Sequence, residues 1–244
     1  MRKLSKRGGS SVDEENPYWI SFSDIMSGLL VVFILASLTL IVQLMEKKSQ
    51  VNDAIEDLAK AEQARHDILY EIKKELEKNN ITVEVTDNDS VLRVPDDQLT
   101  FRSDRYDVPR KGDSYKRARL IGEVLYKSVV KDNRQKYLDT VFIEGHTDSQ
   151  RSRAFKQMGN WGLSTFRAIS VWQFWNKELG ENTNLASIQN HEGLPLFSVS
   201  GYAAQRRVVE QEIERIDFQK NRRIDIRFTV KRPKLSDYQG IIEI

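Results

Sequence analysis

The longest apolar run of the chain covers residues 25–45 and contains no charged side chain. A helix rises 1.5 Å per residue, so this run would be about 30 Å long, which matches the hydrocarbon thickness of a bilayer. Tyr18 and Trp19 stand just before it, where interfacial aromatic side chains commonly lie. A buried core helix rarely runs so long without a polar face. A cleaved signal peptide would be shorter and would end in a small-residue cleavage site. The pattern therefore predicts an uncleaved transmembrane helix over residues 20–45.

The basic residues around this span predict its orientation. Four of them precede it and two follow it closely, namely Arg2, Lys3, Lys6 and Arg7 before, and Lys47 and Lys48 after. Because cytoplasmic flanks carry the excess of Lys and Arg, residues 1–19 are predicted to be cytoplasmic. The chain is then a single-pass protein of a bacterial inner membrane, with its C-terminal part in the periplasm.

Asp24 is an ionisable residue at the start of the apolar run, and two interpretations of it stay open. Ser21 could be the N-cap of the helix and Asp24 its partner in a short capping box, favoured by the helix dipole. Alternatively, Asp24 could carry a proton or another cation, because ionisable groups at membrane depth are costly and commonly mark ion pathways. A single helix cannot enclose such a path, so another subunit would have to supply the rest.

Residues 46–80 are highly charged, but they carry apolar residues at alternating steps of about four and three, interrupted near Glu62 and Arg65. This spacing predicts a linker helix. The helix could form a coiled coil that dimerises the chain, lie on the membrane as a plug, or serve only as a solvated spacer.

From residue 81 to residue 244 the pattern becomes that of a folded domain. Alternating apolar and polar residues predict strands over 81–86 and 91–95, separated by a turn at 87–89. Further on, the pattern predicts a helix over 114–131, a strand over 140–144, a helix over 160–179 and strands over 197–201 and 223–230. Strands that alternate with helices predict an α/β sandwich, a sheet with helices packed on one face.

Composition narrows the function classes. The formal charge of the 244 residues is only +2, which argues against direct nucleic-acid binding driven by bulk positive charge. The chain has no cysteine, so disulfides, thiolate metal sites and a lipoprotein anchor are excluded. No phosphate-binding loop, zinc-ligand spacing or Ser-His-Asp set is found. We therefore expect neither an enzyme nor a cofactor or metal site, and we expect His146 to pack or to form hydrogen bonds.

Four ordered motifs within about 90 residues resemble the OmpA-like peptidoglycan-binding family. They are Phe142-Ile-Glu-Gly-His-Thr-Asp148, Asn160-Trp-Gly-Leu163-Ser164-Thr-Phe-Arg167-Ala168-x-x-Val171, Gly201-Tyr-Ala, and Asn221-Arg-Arg223-Ile-Asp-Ile226. The resemblance implies that Asp148 and Arg167 hold the diaminopimelate of the peptidoglycan stem peptide. It also implies binding roles for Asn160 and Leu163. Residues 149–159 are longer than the usual family loop and rich in Arg and Lys, so the rim of the site is expected to differ.

The chemistry of these residues agrees with that implication. Diaminopimelate carries carboxylate and ammonium groups, which a fixed acid and a forked guanidinium can bind together. Asn160, Leu163 and Arg167 are spaced by three and four, so they share one face of a helix. The alternative is that Asp148 only ends a turn and Arg167 is a surface charge.

The order of the parts, with a membrane aspartate, a linker helix and an OmpA-like domain, is similar to that of MotB-like stator proteins. The segment from Trp19 to Gly28 looks closer to the B subunits of Zorya anti-phage systems than to flagellar MotB. The resemblance implies a homodimer, a MotA-like membrane partner (the Zorya A subunit), and Asp24 as the proton carrier of a wall-anchored motor. A flagellar stator and a passive tether from membrane to wall are the alternatives.

Overall fold

The computed structural model describes residues 17–180 and 183–233. The chain consists of two compact units, and the boundary between them in the sequence falls between Asp53 and Ala54. The first unit is the N-terminal part of a 62-residue helix, α1 (Pro17–Lys78). This part is long and apolar enough to cross a membrane. Its large hydrophobic side chains between Trp19 and Met45 are all 47–69% exposed, so nothing in the described chain covers them.

The described residues of the second unit form an α/β domain of five strands and three further α-helices. After α1 come β1 (Glu84–Thr86), β2 (Val91–Pro95), α2 (Asp113–Val130), β3 (Leu138–His146), α3 (Gly159–Glu178), β4 (Phe197–Gly201), α4 (Arg215–Asn221) and β5 (Arg223–Val230), with short 3-10 helices at Lys131–Tyr137 and Leu185–Ser187. The fold class predicted from the sequence is confirmed. Of the strand predicted over 81–86, only β1 is paired, and α4 was not predicted.

The five strands form one mixed sheet in the order β1-β2-β5-β3-β4. β3 and β4 are parallel, and the other neighbours are antiparallel. One face of the sheet is apolar and packs against α2 and α3, with Ile143 of β3 and Ile226 of β5 fully buried. The other face is charged, since Glu144 lies opposite Asp225 in the register of β3 and β5. This alternation is what half-buried strands require.

The last part of α1 belongs to the core of the second unit. Four aliphatic side chains of this part are fully buried in the same cluster as the sheet residues, namely Ile68, Leu69, Ile72 and Leu76. Glu71 on the same helix accepts bonds from Lys131 at 2.9 and 3.0 Å and from Arg134 at 2.8 Å. The structure thus differs from the interpretation of 46–80 as one linker, because the apolar stripe of its second half covers the core.

Two glycines let α3 approach the sheet closely. A Cβ atom at Gly145 of β3 would overlap the carbonyl oxygen of Ser164, and one at Gly201 of β4 would overlap Thr165. Only glycine permits backbone contact this close. The contact holds the first half of α3 beside the end of β3, where the site lies.

Candidate functional site

A charged pocket of about 560 Å³ lies at the end of β3. Its walls come from the segment after β2, the turn after β3, the first half of α3, and the region of α4. The lining residues are Asp96, Phe101, Ser103, Asp104, Thr147, Asp148, Gln150, Arg151, Leu163, Arg167, Arg215, Phe218 and Arg222. Of the predicted binding residues, Asp148, Leu163 and Arg167 line this pocket together, and Asn160 does not.

Asp148 lies two residues after the end of β3 and is 94% buried, with both carboxylate oxygens already engaged. Oδ1 accepts a bond from the backbone N–H of Gln150 at 3.1 Å, and Oδ2 accepts one from Nη1 of Arg222 at 2.7 Å. The same guanidinium donates from Nε to Asp96 at 3.1 Å. Burial lowers the pKa of Arg222, but its bonds to Asp148 and Asp96 outweigh burial and raise that pKa. Arg222 is therefore a fixed cation between two acids.

Asp96 belongs to the same charged set, and its protonation depends on its surroundings. Burial raises the pKa of Asp96 above its ordinary value, and the neighbouring Arg222 opposes that rise without cancelling it. An ammonium or guanidinium group of a ligand would lower this pKa and stabilise the carboxylate form. The Asp96 carboxyl therefore favours a cationic ligand group.

Arg167 on α3 is held from two sides and is 4% exposed. Its Nε donates to the carbonyl oxygen of Arg105 at 3.0 Å, and its guanidinium lies 5.0 Å above the ring of Phe101. Burial lowers the pKa of Arg167, an effect that Asp96 and Asp148 oppose. A buried guanidinium with unused N–H groups facing a pocket is suited to binding a carboxylate.

Asn160 supports the long loop that precedes α3. Its Nδ2 donates to the carbonyl oxygen of Asp148 at 3.1 Å, and its Oδ1 accepts from the N–H of Ser152 at 2.7 Å. Further along, the N–H of Arg153 donates to Asp104 at 3.2 Å. These bonds fix the loop over 149–158 so that Gln150 and Arg151 form one rim of the pocket.

The Asn221-Arg-Arg motif organises the opposite rim. The buried Oδ1 of Asn221 accepts from the N–H groups of Val208 and Val209 at 2.7 and 3.0 Å. Its Nδ2 donates to Glu212 at 2.6 Å, and Glu212 accepts from the N–H of Ser149 at 3.0 Å. Asn221 therefore ties the loop before α4 to the turn that carries Asp148.

The composition of the pocket indicates a ligand that carries both signs of charge. Three carboxylates and four guanidinium groups line it, namely Asp96, Asp104 and Asp148 with Arg151, Arg167, Arg215 and Arg222. The balance leaves one formal positive charge. A ligand with an ammonium group and an excess of carboxylates would match both the mixture and the sign.

Among the pocket residues that sequence reasoning missed, Asp96 and Arg222 are joined to each other and to Asp148 by ion pairs. Arg222 stood within the Asn221-Arg-Arg223 motif and Asp96 did not stand within any of the four motifs, and no role was assigned to either. The sequence showed only that Asp96 directly follows a predicted strand and that Arg222 directly precedes one, which places each residue at an end of the sheet. Their pairing joins residues 126 positions apart, so spacing could not reveal it.

A second charged cluster lies on the outer face of the sheet. Glu144, His146 and Asp225 are buried, and ligand-type atoms of all three lie within 4.8 Å of one another. Arg93 and Arg223 already bind Asp225, and Arg227 binds Glu144. A divalent cation would have to enter among these guanidinium groups, so we interpret the cluster as an ion-pair network.

Asp24 lies within the first unit, on the exposed apolar part of α1. The helix begins at Pro17, seven residues earlier. Ser21 is therefore an interior helical residue, which removes the capping box that sequence analysis left open. No hydrogen bond or ion pair in the described residues engages the Asp24 side chain.

Comparison with known proteins identifies the fold. No protein-family model and no curated protein matches the sequence. Among solved structures, a MotB-like protein from Desulfovibrio vulgaris is 17% identical, with 71% of this chain and 99% of that chain covered and a TM-score of 0.52. The cell wall anchor of the T6SS from Pseudomonas aeruginosa is 19% identical over 68% of this chain and 99% of that one, with a TM-score of 0.48. The periplasmic domain of Helicobacter pylori MotB is 18% identical over 66% and 88%, with a TM-score of 0.46. The chain thus combines an N-terminal apolar helix with an α/β domain of the MotB-like fold.

Proposed function

We propose that this protein anchors an inner-membrane complex to peptidoglycan. The main support for this proposal is the pocket at the end of β3, where Asp148 and Arg167 line one cavity together with Asp96 and Arg222. The stem peptide presents the ammonium and the carboxylates of diaminopimelate, which suit the acids and guanidinium groups of this pocket. Leu163 would contact the aliphatic chain between the two ends of that residue. Asn160 would support ligand binding indirectly, because it holds the loop over 149–158 that forms one rim of the pocket.

The proposal extends to an ion-driven stator subunit. In this proposal α1 crosses the inner membrane with its N-terminus in the cytoplasm, and Asp24 carries protons at the contact with a MotA-like partner. Its support is the placement of one exposed carboxyl within an otherwise apolar helical surface. Such a group needs a protein or water partner in a bilayer. Two copies of the chain would provide two such aspartates inside the partner's ring.

The biological setting that we propose is anti-phage defence of the Zorya type. The support is the segment from Trp19 to Gly28, which resembles the B subunits of those systems. Proton flow would rotate the MotA-like A subunit around an axle fixed to the wall, and the partner would signal to cytoplasmic effectors during infection.

The wall-binding part is tested by measuring the affinity of the detergent-solubilised full chain for a stem tripeptide that ends in diaminopimelate. We expect Arg167→Ala to weaken binding about 30-fold or more, since removing one partner of a buried charge pair costs at least about 2 kcal/mol. Arg119→Ala, at an exposed arginine of α2 outside the pocket, is the matched control. A tripeptide ending in lysine, which lacks the extra carboxylate, should bind wild type weakly. Equal affinity of wild type and Arg167→Ala would refute the assignment of the pocket.

The stator part is tested by phage plating on cells that carry the native operon, with protein levels matched. We expect wild type to protect and Asp24→Asn to lose protection, because the neutral amide cannot carry a proton. Asp53→Asn, an exposed acid on the same helix beyond the apolar run, should protect fully. If Asp24→Asn protects as well as wild type, the passive tether becomes the better account. If no phage is restricted but swimming is affected, the flagellar stator is favoured.

A further inference from the structure

A second cavity, of about 620 Å³, lies on the other side of the segment that forms one wall of the charged pocket. Phe101, Ser103 and Asp104 of that segment line the pocket, and residues 106–108 line the second cavity. Two bonds hold the segment to α3, from Arg167 to the carbonyl oxygen of Arg105 and from the N–H of Val108 to Ser170 at 3.1 Å. A ligand that fills the pocket could therefore continue over this segment into the second cavity, which we call the aromatic groove.

Aromatic side chains line the aromatic groove and are supported by further aromatic side chains. Tyr106 is 41% exposed, yet its ring packs against Phe155 at 5.8 Å and Phe166 at 5.5 Å between centroids. Tyr115 packs edge-to-face on Phe174 at 5.4 Å and donates its hydroxyl to Glu178 at 2.7 Å. Rings held in place at a surface offer a flat apolar platform at low entropic cost. Phe155 belongs to the long loop before α3, so that loop helps to position Tyr106.

The polar residues of the aromatic groove indicate an uncharged ligand. Two acids, Asp107 and Glu178, and two bases, Arg110 and Lys177, line it, and their formal charges cancel. Ser170 and Gln173 add neutral hydrogen-bonding groups between them. A neutral ligand rich in hydroxyl and amide groups, with an apolar C–H face for the rings, matches this mixture. Saccharides have these features, and anionic polymers do not.

We infer that the aromatic groove binds the glycan strand to which the stem peptide is attached, with a GlcNAc–MurNAc disaccharide as the occupant. This inference rests on the proposed binding of the stem peptide in the charged pocket. The MurNAc lactyl carboxyl is an amide once the peptide is attached, so the disaccharide is neutral, as the aromatic groove requires. The volume lies within the range of about 300–1,000 Å³ that is usual for ligand sites.

The experiment compares two ligands on the detergent-solubilised full chain by isothermal titration calorimetry. One is the disaccharide tripeptide, and the other is the same tripeptide with its N-terminus acetylated so that the charges match. We expect wild type to bind the disaccharide tripeptide about fivefold or more tightly, the effect of one well-placed ring contact. Tyr106→Ala and Gln173→Ala should remove this advantage and leave the affinity for the tripeptide unchanged, which also shows that the domain is folded.

The matched control is Tyr137→Ala, a tyrosine that is 40% exposed and lies outside the aromatic groove. It should keep the full advantage of the disaccharide. Equal affinities of wild type for the two ligands would overturn the glycan inference and leave peptide binding intact. The glycan inference would also be overturned if Tyr106→Ala and Gln173→Ala both still bound the disaccharide tripeptide more tightly than the acetylated tripeptide. If wild type binds neither ligand, the proposed wall binding fails first, and the inference falls with it.

Discussion

Arg222 illustrates how much one side chain determines in the charged pocket. Two different nitrogens of its guanidinium bind Asp96 and Asp148 at once. A planar fork with several fixed donors can do this, whereas an ammonium group acts as a single point charge. Arginine and lysine are therefore not equivalent at this position.

We expect Arg222→Lys to weaken binding of the diaminopimelate tripeptide about tenfold, because Asp148 loses the partner that fixes its geometry. Calorimetric titration of the full chain measures this. Arg215→Lys, at the pocket edge, is the control and should change affinity much less. An Arg222→Lys affinity equal to that of wild type would mean that only the charge at residue 222 matters.

His146 is a buried residue whose protonation couples the stability of the domain to pH. Its ring stacks on Tyr202 and is buried on the outer face of the sheet. Nε2 lies 3.5 Å from Asp225 and 3.9 Å from Glu144, and neither ring nitrogen has a hydrogen-bond partner. Burial lowers the pKa of His146, and the two acids offset this only in part, with Arg223 adding to the lowering.

The sign of the pH dependence follows from this lowered pKa. As the pH falls below about 6.5, the unfolded chain binds the proton before the folded one does. The contribution of neutral His146 to stability is thus complete above about pH 6.5 and is lost as the pH falls through the folded-state pKa. Urea unfolding between pH 7.5 and about 5 should show a declining free energy of unfolding for wild type. His146→Gln should flatten this slope.

The control for this measurement is His66→Gln, at an exposed histidine of α1. It should keep the wild-type slope. The remaining histidine, His191, is partly exposed and lies away from the cluster. Identical slopes for His146→Gln and wild type would show that the carboxylates, and not His146, set the acid sensitivity.

At the scale of elements, the sheet was more predictable than its surroundings. The predicted bounds of β4 and β5 match the structure, because alternation of polar and apolar residues follows from one buried face. Helix α4 was missed because its seven residues carry no apolar period. It is fixed locally, since the carboxylate of Asp217 accepts from the N–H groups of Ile213 and Glu214 at 3.1 and 2.8 Å. The pocket was predicted at Asp148, Leu163 and Arg167 through the resemblance, and its remaining residues depend on distant pairings.

The contact between α3 and the sheet gives a prediction at this scale. We expect Gly145→Ala to lower the free energy of unfolding by about 1–3 kcal/mol, the usual cost of overpacking. The helix must also move away from β3, so affinity for the tripeptide should fall as well. Ser198→Ala, on the opposite face of β4, should leave both values near wild type. If Gly145→Ala is as stable as wild type, the close approach of α3 is not required.

At the scale of the whole molecule, the domain begins inside α1. The four fully buried aliphatic side chains of its second half contribute about 6–12 kcal/mol together, at about 1.5–3 kcal/mol each. The total stability of a domain is only about 5–15 kcal/mol. The sequence pattern gave the apolar stripe of this helix but could not show that its partner is the sheet core and not a second helix.

We expect a fragment that begins at Ala54 to unfold cooperatively, and a fragment that begins at residue 81 to lack a cooperative transition. Thermal unfolding followed by tryptophan fluorescence is suited to this, because the buried Trp175 lies in the core that both fragments share. Ile72→Ala in the longer fragment should lower its midpoint, while Ile55→Ala, at a 58% exposed position of the same helix, should not. A cooperative transition in the shorter fragment would show that the helix is dispensable.

The burial of the second half of α1 also has a mechanical consequence. A force that pulls on this half of the helix loads several interlocked aliphatic side chains and the ion pairs of Glu71 with Lys131 and Arg134 together. Resistance to such a force is governed by the height of the unfolding barrier and not by equilibrium stability alone. Within the α/β domain, the second half of α1 thus serves as a stiff handle, and tension applied to it would load the sheet core directly.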